Sequence, residues 1–120
     1  MANRRSYVSR ERSWTQKSTQ KPAVRDIAWA AGFYEGEGSC RLSRCGGISA
    51  STVQVNKEPL ERMLRLFGGS LHSVERKSAN LPIWYWLVCG IRARGFLQTI
   101  YALLSERRKA QVRKAMACQK

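Results

Sequence analysis

Residues 29–40, WAAGFYEGEGSC, decide the fold of this 120-residue chain. The stretch begins as a helical pattern and then alternates acids with glycines, in the order Glu35, Gly36, Glu37 and Gly38. Glycine removes the side chain where another backbone or a ligand must come close. The stretch therefore predicts a helix whose last turn presents two carboxylates among positions without bulky side chains.

One face of this helix is made of small residues. The helical pattern begins at Asp26, which can cap or charge the first turn, and it should end near Gly36. On a helical wheel the bulky side chains share one side, which suits the core. The opposite side carries Ala28, Ala31, Gly32, Glu35 and Gly36. Small residues spaced by four let a second helix backbone approach closely, so this face predicts a helix–helix contact.

The rest of the chain predicts two hairpins and three more helices. Strands are expected at about 39–45 and 48–56 around the turn Cys45-Gly46-Gly47, and at 70–77 and 83–89. Helices are expected at about 58–67, ended by Gly68-Gly69, at 92–104, and from Ser105 as a cap to the C-terminal end. The order is helix, two strands, helix, two strands and two helices, which is an α+β arrangement.

The alternation within the strands predicts which face of the sheet is polar. Val53 and Val55 alternate with Thr52 and Gln54, giving one apolar and one polar face. The polar face is expected to carry Arg41, Ser43, Ala50, Thr52, Gln54, His72 and Tyr85, with Arg76 near a strand end. A register shift of one residue would exchange the two faces.

The charge of the chain indicates a polyanionic partner. It has 22 Lys+Arg against 8 Asp+Glu, a formal net charge of +14, which favours nucleic acid. Residues 1–24 combine basic residues with many Ser, Thr and Gln, so they are expected to form a disordered basic arm. A cloning or read-through leader is the alternative for this arm. Residues 25–118 are expected to form a single domain.

The sequence lacks the features of membrane proteins and of structural zinc proteins. No apolar run approaches the roughly 20 residues that span a bilayer, and the N-terminus has no signal-peptide apolar region. We therefore expect an intracellular protein, organellar or cytoplasmic. The four cysteines form no CxxC pair and the chain has one histidine, so they are expected to be reduced thiols rather than zinc ligands.

Residues 30–38, AAGFYEGEG, resemble the LAGLIDADG motif of homing endonucleases, in the single-motif branch often written AGFxDGEGS. VQVNKEPLERML at 53–64 resembles that family's second strand and following helix, YWLVCG at 85–90 its fourth strand, and LLSERRKAQV at 103–112 its late segment with a basic residue. The resemblance covers about residues 25–116. It implies the αββαββα fold with a curved, antiparallel, four-stranded DNA-binding sheet.

The resemblance also implies an activity and a partner. It implies a site-specific endonuclease that hydrolyses both strands of a long, near-palindromic DNA target and is encoded in an intron or a free-standing mobile element. In the family, two motif helices pack at a twofold axis, so a chain with one motif implies a homodimer. Glu37, with Gly38 beside it, would bind Mg²⁺, with Mn²⁺ as a substitute. Glu35 would cap or bond across the helix pair.

Two basic residues match further catalytic positions of the family. Arg108, with Lys109 after it, matches the late basic residue that offsets charge near the scissile phosphate; the family usually has lysine, and arginine does not release its proton. Lys57 stands where the family often has a polar residue that orders water. Glu61 stands where a basic residue is common, and Arg62 follows it. The DNA contacts are expected from Arg41, Ser43, Thr52, Gln54, His72, Arg76, Tyr85 and Lys109.

Two other functions remain open at the level of the sequence. The same fold could bind nucleic acid without cutting it, as an intron-RNA maturase or a DNA-binding regulator. A generic basic RNA-binding protein is the other alternative, and it predicts a monomer with no preference for twofold-symmetric sites.

Overall fold

The computed structural model describes residues 14–16, 20–42, 47–74 and 82–117. Its helices are α1 (Val24–Glu37), α2 (Lys57–Phe67), α3 (Gly90–Ile100) and α4 (Glu106–Ala117), with a 3₁₀ turn at Tyr101–Leu103. Its strands are β1 (Trp14–Gln16), β2 (Gly38–Leu42), β3 (Ile48–Gln54), β4 (Gly69–Val74) and β5 (Ile83–Cys89). From α1 onward the order is the predicted one, and the α+β class is confirmed.

The strands form one antiparallel sheet in the order β1-β4-β5-β3-β2. Its four longer strands are the two predicted hairpins. β1 is an addition, because Trp14 pairs with Leu71 and extends the sheet at the β4 edge. Within residues 1–24, for which a disordered basic arm is expected, the structure has the short strand β1 and the first residue of α1, Val24. Residues 1–13 and 17–19 lie outside the described part of the chain.

The hydrophobic core lies between the helices and one face of this sheet. Trp86 of β5 is completely buried, and its indole N–H donates to the Gly68 carbonyl at 2.8 Å. Phe96 of α3 meets both Trp86 and Phe67 edge to face, with ring centroids 4.9 Å apart in each pair. No helix in the described ranges combines the length and apolarity that crossing a membrane requires.

The turn between α2 and β4 needs both of its glycines. Gly68 and Gly69 have φ of 72° and 103°, a region that other residues rarely adopt. A Cβ at Gly69 would also lie 2.5 Å from the Leu87 carbonyl oxygen of the neighbouring strand. The predicted end of the helix at Gly68-Gly69 is confirmed, and the close approach lets β4 pair directly with β5.

The start of α1 is held by Asp26. Its carboxylate accepts from the Ala23 backbone N–H at 2.9 Å and pairs with the Arg62 guanidinium at 3.2 Å. The bond from Ala23 and then the one from Arg62 lower the pKa of Asp26. The predicted role of Asp26 in the first turn is confirmed, and the ion pair ties α1 to α2.

The predicted faces of β3 are wrong. Thr52 is 0% exposed and its hydroxyl has no hydrogen-bond partner within the described residues, whereas Val53 is 36% exposed. The apolar residues change sides along this strand, because Ile48 and Ala50 lie on the opposite face from Val53. The face of Ile48, Ala50 and Thr52 is the one that the helices cover. We use "outer face" for the uncovered side, formed by the odd-numbered residues of β2, β3 and β5 and the even-numbered residues of β4.

Candidate functional site

The two acids at the end of α1 have opposite surroundings. The Glu35 carboxylate accepts two hydrogen bonds from Ser105, one from the backbone N–H at 2.9 Å and one from the hydroxyl at 2.7 Å. These bonds lower the pKa of Glu35 and stabilise its charged form. Glu37 is the last residue of α1, and its side chain is exposed.

Ser105 joins this carboxylate to the start of α4. Its hydroxyl accepts from the Arg108 backbone N–H at 3.2 Å, so the predicted cap is confirmed. The Arg108 side chain returns to the same place, because its Nε donates to the Glu35 carbonyl at 3.1 Å. Its other end donates to the Gln111 side chain at 3.1 Å, and the guanidinium carbon lies 5.5 Å from the centroid of the Tyr34 ring. The sequence-predicted Arg108 is thus brought to the end of α1.

Gly36 and Gly38 lack side chains for different reasons. Nothing lies within 4 Å of a Cβ built at Gly36, so this position is open. A Cβ at Gly38 would collide with the ring of Tyr34, which is itself completely buried. The expectation that both glycines leave space for another backbone or a ligand therefore needs a correction, since Gly38 leaves space for the Tyr34 ring of the protein's own core.

The donors at this end of α1 suit a hard divalent cation only in part. Glu37 offers an exposed carboxylate, and the buried Gly38 can offer only its carbonyl oxygen. Within the residues that the structure describes, no three His, Cys, Asp or Glu side chains group together as a metal site. Carboxylate, phosphate and water oxygens are what Mg²⁺ prefers, so the residues fit such an ion if other molecules complete its shell.

Part of the small-residue face of α1 is uncovered in the described part of the chain. Val24 is 84% exposed, and Ala28, Gly32 and Gly36 follow it along the exposed side at a spacing of four. Nothing lies within 4 Å of a Cβ built at Gly32. Two residues predicted for this face are placed elsewhere: Ala31 is 2% exposed and packs in the core, and Glu35 caps α4 of its own chain.

Lys57 contacts one residue of α2 and one residue of β5. Its Nζ lies 3.7 Å from Glu61 and 4.6 Å from the centroid of the Trp84 ring. The described contacts do not join Lys57 to Glu37 or Arg108. Arg62, the neighbour of Glu61, is engaged with Asp26 and lies 4.0 Å from the Trp29 ring centroid.

The residues predicted to contact DNA divide between the two faces of the sheet. Arg41, His72 and Tyr85 lie on the outer face, where the rings of His72 and Tyr85 stack with centroids 4.8 Å apart. Thr52 and Gln54 lie on the covered face, so their placement in a polar reading face is wrong. Ser43 and Arg76 fall outside the described residues. Lys109 lies on α4, paired with Glu106 at 3.6 Å.

A cleft between β2 and α4 was missed by the sequence reasoning. It has a volume of about 380 Å³ and is lined by Ser39, Cys40, Leu42, Arg108, Gln111, Lys114 and Ala115. The spacing of Arg108, Gln111 and Ala115 by three and four residues predicts one shared side of α4. What that side packs against could not be read from the same spacing, because β2 lies about 70 residues earlier in the chain.

Solved structures with this architecture come from a DNA-cutting class of protein. The homing endonuclease I-CvuI in complex with its target, in the presence of Ca, matches with a TM-score of 0.61 and 18% identity. The same endonuclease with the I-CreI target, in the presence of Mg and with the DNA not cleaved, matches with a TM-score of 0.56 and 16% identity. This chain has the homing-endonuclease fold.

The match to I-CvuI covers part of each chain. In both structures it covers 78% of this chain and 64% of the I-CvuI chain. No protein-family profile matches the chain, and no curated protein is similar enough to count as a relative.

Proposed function

We propose that the protein is a homodimeric homing endonuclease of the LAGLIDADG type, which cuts double-stranded DNA at a near-palindromic site with the help of a divalent cation. One observation carries the proposal. An exposed carboxylate, Glu37, ends a helix whose uncovered face carries the small residues Ala28, Gly32 and Gly36. The shared fold supports it, because I-CvuI is a homing endonuclease whose structures are complexes with DNA targets in the presence of Ca or Mg.

The dimer follows from the shape of α1. Helices usually pack about 8–10 Å apart, and small residues permit closer contact. Two copies that pack their exposed Ala28, Gly32 and Gly36 around a twofold axis would bring both Glu37 side chains to one place. Such a pair offers one carboxylate for each DNA strand, which is the arrangement that cutting of both strands requires.

The chemistry divides among three side chains. When bound, a divalent cation supplies an activated water and stabilises the leaving oxygen. Glu37 is the protein ligand that would hold the cation against a phosphate. Arg108 carries a permanent charge beside the end of α1, where it would offset negative charge on that phosphate. Glu35 and Ser105 hold α4, and therefore Arg108, in that position.

One observation favours a second candidate, a DNA-binding or intron-RNA-binding protein of the same fold without cleavage. Both predicted basic residues have intramolecular partners: Arg108 has Glu35 and Gln111, and Lys57 has Glu61. Arginine also does not serve as a proton donor or acceptor. If these contacts persist on DNA, the protein would bind its site without hydrolysing it.

Cleavage of a randomised library separates the two candidates. A plasmid library with randomised inverted repeats is incubated with the wild type or Glu37→Gln, in Mg²⁺ or in Ca²⁺, and cut and bound products are sequenced. We expect the wild type with Mg²⁺ to enrich a palindrome-like site. Glu37→Gln should lower the cleavage rate by about 100-fold or more, because a metal ligand contributes several kcal/mol to the transition state.

Glu58→Gln is the matched control, because Glu58 is an exposed acid on α2 and should leave cleavage unchanged. Equal cleavage by the wild type and Glu37→Gln would refute the role of Glu37. Retention of one symmetric site without cleavage by any variant would establish the binding protein instead.

A further inference from the structure

The outer face of the sheet differs in charge from the rest of the chain. The chain carries a formal net charge of +14, yet Arg41 is the only Lys, Arg, Asp or Glu of the outer face within the described strands. The exposed basic residues of the described helices are Arg25, Arg65, Arg92, Arg94, Arg107, Arg113 and Lys114. The charges that would attract phosphates are thus separated from the surface that would meet the bases.

The centre of the outer face is apolar and aromatic. One row across the sheet joins Val53, Tyr85 and His72, which are opposite one another in the strand register. Val53 is 36% exposed, and His72 stacks on Tyr85 at an interplanar angle of 23°. Burial lowers the pKa of His72, which keeps the imidazole uncharged at neutral pH.

The rows on either side extend this strip. Ile83 is opposite Val74 on one side, and Leu87 lies between Ser51 and Ser70 on the other. Ser39 continues that second row towards β2, with its hydroxyl 3.2 Å from that of Ser51. The surface is therefore an apolar strip bordered by small hydroxyls, with Arg41 near the β2–β3 hairpin.

The major groove has one apolar group, the C5-methyl of thymine. A surface of this composition matches thymine methyls better than it matches guanine, whose N7 and O6 call for bidentate donors such as arginine. Serine hydroxyls donate or accept, so they tolerate several bases. Duplex DNA is the occupant that the chain's charge favours, and the I-CvuI structures hold their DNA on this fold.

We propose that the outer face reads its target mainly by apolar contact with thymine methyl groups, so that the half-site is rich in A·T pairs where it faces Val53, Tyr85 and Leu87. This inference rests on the proposed binding of double-stranded DNA. Phosphate contacts then come from basic residues outside this face, and the affinity they supply falls steeply with salt. Within the described strands, selectivity comes from a nearly uncharged face, where only Arg41 offers bidentate donors to guanine.

Removal of single methyl groups from the DNA tests this proposal. Sites are first selected by binding in Ca²⁺, and deoxyuridine then replaces thymidine at one position at a time in a synthetic duplex. Each contacted methyl should strengthen binding by about fourfold, which corresponds to about 0.8 kcal/mol for one buried carbon group. We expect such an effect at two or more positions of each half-site.

A substitution in the protein tests the same contact from the protein side. Val53→Ser should weaken binding to the thymidine duplex and lose the response to deoxyuridine at one of these positions. Ile91→Ser is the matched control, because Ile91 is an apolar residue that is 88% exposed and lies in the first turn of α3 rather than in a strand of the sheet. It should retain the full response at every position.

The outcomes distinguish this inference from the proposed function. The proposed contact with thymine methyl groups is refuted if the bound or cut site is rich in G·C pairs, or if binding is insensitive to deoxyuridine. Either outcome leaves the endonuclease proposal intact. Failure to bind any duplex removes both. If Val53→Ser instead changes the sedimentation of the free protein, the outer face is a contact between copies of the chain, and the apolar reading of DNA is refuted.

Discussion

The two sides of α1 use small residues for opposite purposes. On the inner side, Ala30 and Ala31 are buried so that α1 can lie close to its own sheet and helices. On the outer side, Ala28, Gly32 and Gly36 are exposed, and among the described residues no atom lies within 4 Å of a Cβ placed at Gly32 or Gly36. A small residue therefore indicates close packing, but the surrounding elements decide whether the partner belongs to the same chain or to another molecule.

The two acids follow the same division. Glu35 turns towards α4 and is satisfied by Ser105, so it has a structural role within the protomer. Glu37, two residues later, ends the helix with an exposed side chain. Variants that alter one side of α1 without the other should therefore separate folding from assembly and catalysis.

The largest expected effect is that of a bulky residue on the outer side. Gly32→Leu should abolish the dimer and lower cleavage by at least about 100-fold, because two α1 helices could no longer approach. The fold of the single chain should be retained, since a Cβ at Gly32 has no neighbour within 4 Å. Sedimentation equilibrium, cleavage rate and far-UV circular dichroism measure the three quantities.

The control for this variant is Gly95→Leu. Gly95 is a similarly exposed glycine on α3 with nothing within 4 Å of its Cβ position. It should leave both dimer and cleavage unchanged. A Gly32→Leu protein that stays dimeric and active would show that the outer side of α1 is not the interface.

A pair of alanine substitutions at the end of α1 has the next largest effect. Gly38→Ala should destabilise the fold by about 2 kcal/mol, because the added methyl collides with the Tyr34 ring in a packed core. Gly36→Ala should change stability by less than this, because no atom of the described part of the same chain lies within 4 Å of the added Cβ and alanine, which also stands at position 28 of this face, is still a small residue. Urea unfolding of both variants measures the difference, and equal effects would contradict the assignment of Gly38 to the core.

Much of this fold could be predicted because its helices carry long, regular patterns. The stripe of Leu60, Met63 and Leu64 gave α2 its buried side, and Ser105 was recognised as a cap from its place before a helical pattern. The order of elements followed from the turn residues between them. These features are local, so they are visible in one stretch of sequence.

The errors arose where a pattern was short or its partner distant. In β3 the apolar residues change sides, and the choice between faces depended on which half of the strand the helices cover. Ala31 lies at the edge of the helical wheel, where the neighbouring elements decide its burial. The bonds between Glu35 and Ser105 join residues 70 positions apart, and no spacing in the sequence indicates them.

Removal of the cap tests the link between α1 and α4. Ser105→Ala loses the hydroxyl that accepts from the Arg108 N–H and donates to Glu35. It should cost about 1 kcal/mol, the usual value for an N-cap, and lower the Tm by about 4 °C. Thr99→Ala, which loses a hydroxyl that donates to Gly95 within the exposed side of α3, should lower the Tm less. An equal decrease in both would mean that the cap contributes nothing beyond an ordinary hydroxyl.

The smallest expected effect is a change in pH dependence. Ser105 lowers the pKa of Glu35 in the folded state. The charged carboxylate therefore stabilises the fold at pH values above 4.5, which is the pKa of Glu35 in the unfolded chain. This contribution to stability is lost as the pH falls through the lower pKa of the folded state. Glu35→Gln should therefore be less stable than the wild type at pH 7. The difference in stability between the two proteins should decrease steadily below about pH 5. Urea unfolding midpoints from pH 7 to pH 3 measure it, and the shared loss from Asp26 cancels in the difference. A difference between the two midpoints that stays constant with pH would show that the charge of Glu35 does not hold α4. The structural role assigned to Glu35 would then be refuted.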